Sequence, residues 1–450
     1  MKAALHNLGC RVNAYECEMM TERLKGAGYE IVPFEEHADV YIVNTCTVTA
    51  IADRKSRQML HRAKELNPDA VVVACGCYVE DGRDQLLDDS KVDLLVGNGE
   101  KEEIALILER WFLDRDRNPL QKTEPPAEYP EGAGITSAGE RARAFIKIED
   151  GCNQFCSYCM IPYVRGRVRS RDEDSILAEI RRLALNGIKE VILSGIHISS
   201  YGSAHYRPGV TNRALLSLIQ KADETEGIER IRLGSLEPGV MTEEFTEGLA
   251  QLRSFCPTFH LSLQSGSDTV LKRMNRTYDT ALYREICGRI RGSFEDPALT
   301  TDIICGFPGE SKGEFDETLS FAEEIHFSGI HVFKYSRRQG TKAAAMPDQV
   351  PNRVKTERSA SLMELALKMK REYAGRRIGK KLEILFEDEP DQEELAAIGL
   401  SRNDSDSRFL MKGHSREGIE CYAFADQGLH GRIEAFHGAK LLKNGALYVE

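Results

Sequence analysis

Cys152-Asn153-Gln154-Phe155-Cys156-Ser157-Tyr158-Cys159 sets three thiols apart by three and then two residues. Three thiolates at that spacing can wrap one side of a cuboidal iron–sulfur cluster and leave one iron without a protein ligand. A structural zinc site or a ferredoxin-like cluster needs a fourth ligand close by, and no cysteine follows Cys159 before Cys256. An open iron can chelate the amino and carboxylate groups of S-adenosylmethionine, and a reduced cluster can pass that cofactor one electron. The same stretch decides the fold, because it directly follows the apolar run Ala144 to Ile148, a strand whose carboxyl end therefore carries the trio.

From that strand onward a β-then-α pattern repeats six times. Val191 to Ile196, Arg230 to Leu233, Thr258 to Leu263, Leu299 to Ile304 and Gly329 to Tyr335 supply the further strands. Helical stretches such as Ile176 to Asn186, Arg213 to Glu226 and Phe315 to Ile325 lie between them. Six β/α units predict a partial (β/α)6 barrel whose working face is the carboxyl end of its strands. Other ligand-friendly segments fall on that rim: Ser194-Gly195-Ile196, Arg232 to Pro238, Gln264-Ser265-Gly266-Ser267 and Thr301 to Glu310. Their coincidence with the cysteine trio marks them as cofactor-site candidates.

Upstream, residues 1–112 read as a small parallel α/β sheet, with strands Lys2 to Leu8, Val40 to Asn44, Ala70 to Ala74 and Val92 to Val96. Helices over Glu16 to Gly26 and Ile51 to Leu66 connect them. The first three strands each run into cysteine, at Cys10, at Cys46 and at Cys75-Gly76-Cys77. Strand carboxyl ends of a parallel sheet share one edge, so a second three-cysteine cluster is expected there. Spacing does not choose between Cys75 and Cys77, and Cys17, on a helix, reads as packing. Residues 113–140, with Glu124-Pro125-Pro126 and Glu131-Gly132-Ala133-Gly134, read as an exposed linker to a domain spanning 141–375. Residues 376–450, after a helix around Arg358 to Tyr373, read as a small β-barrel from strands such as Leu382 to Phe386, Phe409 to Lys412 and Arg432 to Phe436.

Composition bounds the setting. No apolar run nears the ~18 residues of a membrane span, and the N-terminus lacks a signal-peptide core, so a cytoplasmic protein that makes no membrane contact is expected. In that compartment 12 cysteines point to metal ligation rather than disulfides. The net charge of −11 argues against a chain that is basic all over. The C-terminal segment itself carries 11 basic and 14 acidic residues and gains little from phosphate attraction. Basic character gathers instead at Arg165, Arg167, Arg169 and Arg171. In an extended segment this alternation would set four guanidinium groups on one side, suited to a phosphate track.

With these residues in view, the chain resembles the methylthiotransferases, radical S-adenosylmethionine enzymes with a second cluster in the N-terminal domain and a C-terminal RNA-binding domain called TRAM. Leu8-Gly9-Cys10-Arg11-Val12-Asn13, Asn44-Thr45-Cys46-Thr47-Val48 and Gly76-Cys77-Tyr78 match the family's N-terminal ligand motifs, which selects Cys77 over Cys75. Cys152 to Cys159 with Ile161-Pro162-Tyr163-Val164-Arg165-Gly166-Arg167 matches the cluster motif and its tail. Tyr158, Tyr335 to Thr341 and Met346 to Pro351 look most like the branch acting on N6-threonylcarbamoyladenosine in tRNA.

The resemblance implies two 4Fe-4S clusters, one on Cys152, Cys156 and Cys159 that makes a radical from S-adenosylmethionine, and one on Cys10, Cys46 and Cys77 that presents sulfur. The radical would attack C2 of the modified adenine, and a second S-adenosylmethionine would supply the methyl group. No Ser, His or carboxylate is given a catalytic role. Gly195, Ser235, Gln264 and Gly306 would hold S-adenosylmethionine. The arginine track would position the tRNA anticodon arm, and Arg337 or Arg338 would grip the substrate carboxylate. An electron donor such as flavodoxin or ferredoxin is implied. The alternatives are methylthiolation of isopentenyladenosine in tRNA or of a ribosomal-protein aspartate. From another class, the chain could be a non-catalytic iron–sulfur protein that binds RNA and senses redox state.

Overall fold

The computed structural model describes the chain except residues 115–127, 130, 131, 133, 140, 204, 401–407 and 427. The first strands are β1 (Lys2–Asn7), β2 (Glu30–Ile31), β3 (Val40–Thr45), β4 (Val71–Gly76) and β5 (Leu94–Val96), in the sheet order β2-β1-β3-β4-β5. All four pairings are parallel. Every residue of β3 and β4 is buried, as befits strands covered on both faces. The two-residue edge strand β2 has too little sequence to show a period and was not among the expected strands.

Next come β6 (Arg143–Lys147), then β7 (Glu149–Asp150) and β8 (Arg169–Ser170), an antiparallel ribbon that clamps both ends of the loop carrying Cys152 to Cys159. β9 (Glu190–Ser194), β10 (Arg230–Leu233), β11 (Thr258–His260), β12 (Ala298–Cys305) and β13 (Gly329–Lys334) complete the central unit. β10-β9-β6 and β11-β12-β13 form two parallel three-stranded sheets, joined by the isolated parallel bridges Ile231↔Phe255 and Leu236↔Leu261. The result is the expected six-stranded open barrel. Its helices start where the sequence supplies caps: Asp172 accepts from the Ser175 amide, and Ser311 and Glu314 form a capping box.

Beyond the helix Asn352–Gly375, β14 (Lys381–Phe386), β15 (Phe409–Ser415), β16 (Glu420–Ala425), β17 (Ile433–Leu441) and β18 (Leu447–Val449) close a five-stranded barrel. A helix at Gln392–Ile398, within the acidic stretch, was not expected. This barrel seals the amino-terminal end of the central one. Arg230 donates to the His414 and Glu383 carbonyls, Arg232 to the Ser415 carbonyl, and Arg143 pairs with Glu387.

The exposed-linker expectation needs correction over its second half. Ile135 and Ala138 are buried, the Ile135 amide donates to Glu179, and the amides of Thr136 and Ser137 donate to Glu22. Two apolar side chains among glycines were enough to dock this segment, a signal that composition averages away. Glu124-Pro125-Pro126 lies outside the described residues.

Candidate functional site

The N-terminal trio stands on one sheet edge. Cys10 caps the helix Arg11–Gly26, Cys46 follows β3, and Cys77 opens the short helix after β4. Gly9 sits so close to Cys46 that a Cβ there would lie 2.9 Å from its Sγ. Gly76 (φ +96°) turns the chain between Cys75 and Cys77, and a Cβ at Gly76 would come within 2.4 Å of the Thr45 carbonyl. Cys75 points into the sheet, its Sγ near the Val43 carbonyl at 3.6 Å, whereas Cys77 Sγ accepts from Arg165 Nε at 3.1 Å. Asn13 and Thr45 brace the three loops: Asn13 Nδ2 donates to the Leu8 and Thr45 carbonyls, and Thr45 Oγ1 donates to that of Cys75.

The central trio occupies the loop between β7 and β8. Phe155 (φ +49°) adopts the left-handed conformation that winds this loop, and Cys152, Cys156 and Cys159 are each half-buried. Arg276 Nη1 donates to Cys156 Sγ at 3.1 Å and its Nη2 to Glu237 at 2.6 Å. The two trios are near neighbours. Burial, then the charge of Cys156, push the Cys159 thiol up to about 12, and Cys77 of the other trio adds to the rise.

Between them lies a buried charge cluster. Arg165, with no exposed side-chain surface, pairs with Glu16 at 2.9 Å and Asp150 at 3.2 Å and donates to Asn13 Oδ1 at 2.6 Å. Lys147 bridges Glu16 and Asp150, Lys101 pairs with Glu16, and Arg169 lies 3.6 Å from Asp150. Burial alone would raise Glu16, but Arg165, Lys101 and Lys147 more than offset it and hold its carboxyl well below the usual range. Four cations thus face two carboxylates. The two surplus positive charges adjoin the Cys77 thiol, an arrangement suited to an anionic thiolate-bound cluster.

This overturns the phosphate track. Arg165, Arg169 and Arg171 are buried, the last paired with Glu179, and only Arg167 is exposed, its guanidinium 4.6 Å from the centre of the Phe155 ring. The four arginines do not share an extended segment: Arg165 caps the short helix Ile161–Val164, only Arg169 lies on β8, and the buried ones turn inward to Glu16, Asp150 and Glu179. Arg338 is likewise committed: it is buried, pairs with Asp53 and Asp81 and donates to Thr47, tying the loop after β13 to the N-terminal unit. Arg337 is exposed and gives its Nε to the Ala344 carbonyl at 2.8 Å. Gly306 (φ +72°) is explained by packing, since a Cβ there would lie 2.4 Å from the Lys355 side chain.

A cavity of about 210 Å³ opens between the two cysteine loops, lined by Val48 and Thr49 from one side and by Tyr158, Gln264, Asp302, Phe333, Lys334 and Tyr335 from the other. Gln264 (φ +69°) is held in the left-handed region beside it. On the rim, Ser235 is exposed after β10, and a Cβ at Gly195 would lie 2.8 Å from Glu149 Oε2. Glu149, His197 and Tyr206 were missed by sequence reasoning. Glu149 Oε2 accepts from the His197 amide, while Glu149 Oε1, His197 Nε2 and Tyr206 Oη are buried without a hydrogen-bond partner among the described residues. Buried polar atoms left unsatisfied beside a three-thiol loop are what the polar amino acid end of a cofactor such as S-adenosylmethionine would satisfy. The two trios, each without a fourth cysteine, fit clusters with one open iron. A carboxylate two residues ahead of Gly151-Cys152 was the available signal for Glu149.

Comparison with known proteins places these features. Residues 2–97 match the model of an uncharacterized protein family, UPF0004, and residues 146–322 that of the radical SAM superfamily. The chain is 37% identical over 413 residues to the threonylcarbamoyladenosine tRNA methylthiotransferase MtaB of Bacillus subtilis, covering 91% of this chain and 90% of that protein. It is 34% identical over 434 residues to the tRNA-2-methylthio-N(6)-dimethylallyladenosine synthase of Moorella thermoacetica, covering 94% and 93%. Among solved structures, the radical S-adenosylmethionine methyltransferase TsrM from Kitasatospora setae superimposes with a TM-score of 0.56 at 18% identity, over 76% of this chain and 77% of that one. That likeness speaks for the fold alone.

Proposed function

The chain belongs to the radical S-adenosylmethionine methylthiotransferases, with 4Fe-4S clusters and S-adenosylmethionine as cofactors, and on that premise we propose that it methylthiolates C2 of N6-threonylcarbamoyladenosine in tRNA. The observation that carries the reading is the cavity shared by the two cysteine loops. We assign one cluster to Cys152, Cys156 and Cys159 and the other to Cys10, Cys46 and Cys77. When bound, these groups supply the radical that opens an unactivated aromatic C–H bond, the sulfur that replaces the hydrogen and the methyl group that caps it.

The residues of the chain do the positioning. Glu149, His197 and the Gly195 backbone hold the amino acid end of S-adenosylmethionine, with Ser235 at the rim and Arg276 beside Cys156. Phe333, Tyr335 and Tyr158 present aromatic surface to the adenine, and Gln264 a polar edge. Lys334 lines the same cavity and its ammonium makes no hydrogen bond or ion pair among the described residues, so it takes the substrate carboxylate in place of Arg338. Arg337 lies just outside, beside Gln339 and Thr341, and meets the flanking phosphate. Tyr163 and Arg167, both exposed and packed on the half-buried Phe155 ring, form a stacking and cationic surface at the cluster loop for the anticodon arm.

Among the described residues no helix is long and apolar enough to cross a membrane. We place the enzyme in the cytoplasm, with its tRNA and a flavodoxin- or ferredoxin-type donor. Deleting the gene in its host should remove 2-methylthio-N6-threonylcarbamoyladenosine from digested tRNA while N6-threonylcarbamoyladenosine persists. Loss of the methylthio group from isopentenyladenosine instead would transfer the chain to the branch represented by the Moorella relative.

A further inference from the structure

His260, Asp302 and His331 stand on the three neighbouring strands β11, β12 and β13. In their parallel register His260 lies opposite Thr300, and Asp302 opposite His331. Thr300 and Asp302 are two residues apart, so all four side chains share one face of the sheet. The alternating burial of β12 identifies that face: Leu299, Thr301, Ile303 and Cys305 are buried, while Thr300, Asp302 and Ile304 look into the open barrel. One nitrogen from each imidazole and one carboxylate oxygen all lie within 4.8 Å of one another. The imidazole rings are 5.8 Å apart, and His260 Nε2 is 3.4 Å from Asp302 Oδ2.

We propose that these three residues bind one divalent transition-metal ion, separate from the iron–sulfur clusters. The orientation of His260 is already set for it. Its Nδ1 is 3.0 Å from Thr300 Oγ1, which engages that nitrogen and leaves Nε2 directed toward Asp302, the outer contact that metal-bound histidines characteristically make. The His331 side chain makes no hydrogen bond among the described residues, so its ring is free to turn a nitrogen to the ion. Two imidazoles and one carboxylate select an ion of the Fe, Co, Ni or Zn type over Mg or Ca, which want oxygen donors. Three protein ligands leave coordination positions open, and Asp302 also lines the cavity between the cysteine loops. The open positions therefore face the chamber, where water or an oxygen of the substrate can complete the shell.

The test uses cluster-loaded enzyme, in which the six cluster cysteines are engaged. Co(II) is titrated in anaerobically, its binding followed by equilibrium dialysis with metal analysis. One equivalent beyond the cluster iron is expected. His260→Ala and His331→Ala should each weaken it by more than about tenfold, and Thr300→Val, which keeps all three ligands, by about ten- to a hundredfold. Cluster absorption and iron content, unchanged in all three variants, report that the fold is intact. Absence of the extra equivalent in wild type overturns the proposal, as does an equivalent retained at full affinity in a His260→Ala/His331→Ala double variant. Should that double variant fail to load clusters, Thr300→Val and His331→Gln decide it: undiminished Co(II) affinity in both overturns the site.

Discussion

Replacing Arg165 with Met removes the guanidinium that joins the two cysteine loops while keeping much of its apolar bulk. Arg165 contributes two ion pairs, to Glu16 and Asp150, and hydrogen bonds to Asn13 and Cys77. Stripping one partner from a buried pair costs about 3–5 kcal/mol, and the lower end applies here because both acids keep Lys147. The redox consequence is more specific. Loss of the Nε–H···Sγ bond and of one buried positive charge both disfavour the extra electron of a reduced cluster. With the lost charge about 5 Å from the cluster and an effective dielectric of about 20, the reduction potential of the N-terminal cluster falls on the order of 100 mV. An electron paramagnetic resonance redox titration reads that shift, and urea denaturation the stability. Arg165→Lys keeps the charge and should recover most of the potential. An unchanged potential in Arg165→Met with both clusters present would refute the argument that this residue acts on the cluster.

Three further outcomes are expected. Anaerobic reconstitution should give about eight irons per chain, and about four in a Cys152/Cys156/Cys159 triple alanine variant or in Cys77→Ala, with Cys75→Ala retaining all eight; colorimetric iron analysis checks this. Arg167→Glu should weaken tRNA binding and reduce its salt slope by about one unit without changing S-adenosylmethionine cleavage, as measured by filter binding across a salt series. Burial raises the Glu149 carboxyl to about 8 from an ordinary 4.5, so the native state holds a proton that the unfolded chain has released. Stability therefore falls as pH rises from about 5 to about 8, by up to about 1.4 kcal/mol per unit, and Glu149→Gln should flatten the dependence seen in urea midpoints.

The layered architecture was legible in the sequence because most strands of the two parallel units are short runs rich in apolar residues, separated by stretches of helical period. The central trio was legible from its spacing, and strand order brought Cys10, Cys46 and the Cys75–Cys77 pair to one edge, where the resemblance rather than the spacing selected Cys77. What was not legible is the partner of each cation. Arg165 and Arg169 meet Asp150, and Arg165 meets Glu16, 149 residues away in sequence, so an arginine run that looks like an RNA surface is an internal scaffold. Arg338 finds Asp53 from the opposite unit in the same way. Glu149 and His197 are a single acid and a single imidazole, and beyond the nearness of Glu149 to Cys152 what marks them is one buried polar atom on each without a hydrogen-bond partner among the described residues.

The central claim is best tested by giving the reconstituted, reduced enzyme S-adenosylmethionine, a sulfur source and tRNA carrying either N6-threonylcarbamoyladenosine or isopentenyladenosine, then digesting the tRNA for mass spectrometry. The account predicts 5'-deoxyadenosine together with 2-methylthio-N6-threonylcarbamoyladenosine, and no change in isopentenyladenosine. Methylthiolation of isopentenyladenosine alone, or 5'-deoxyadenosine formed with neither tRNA modified, would contradict it.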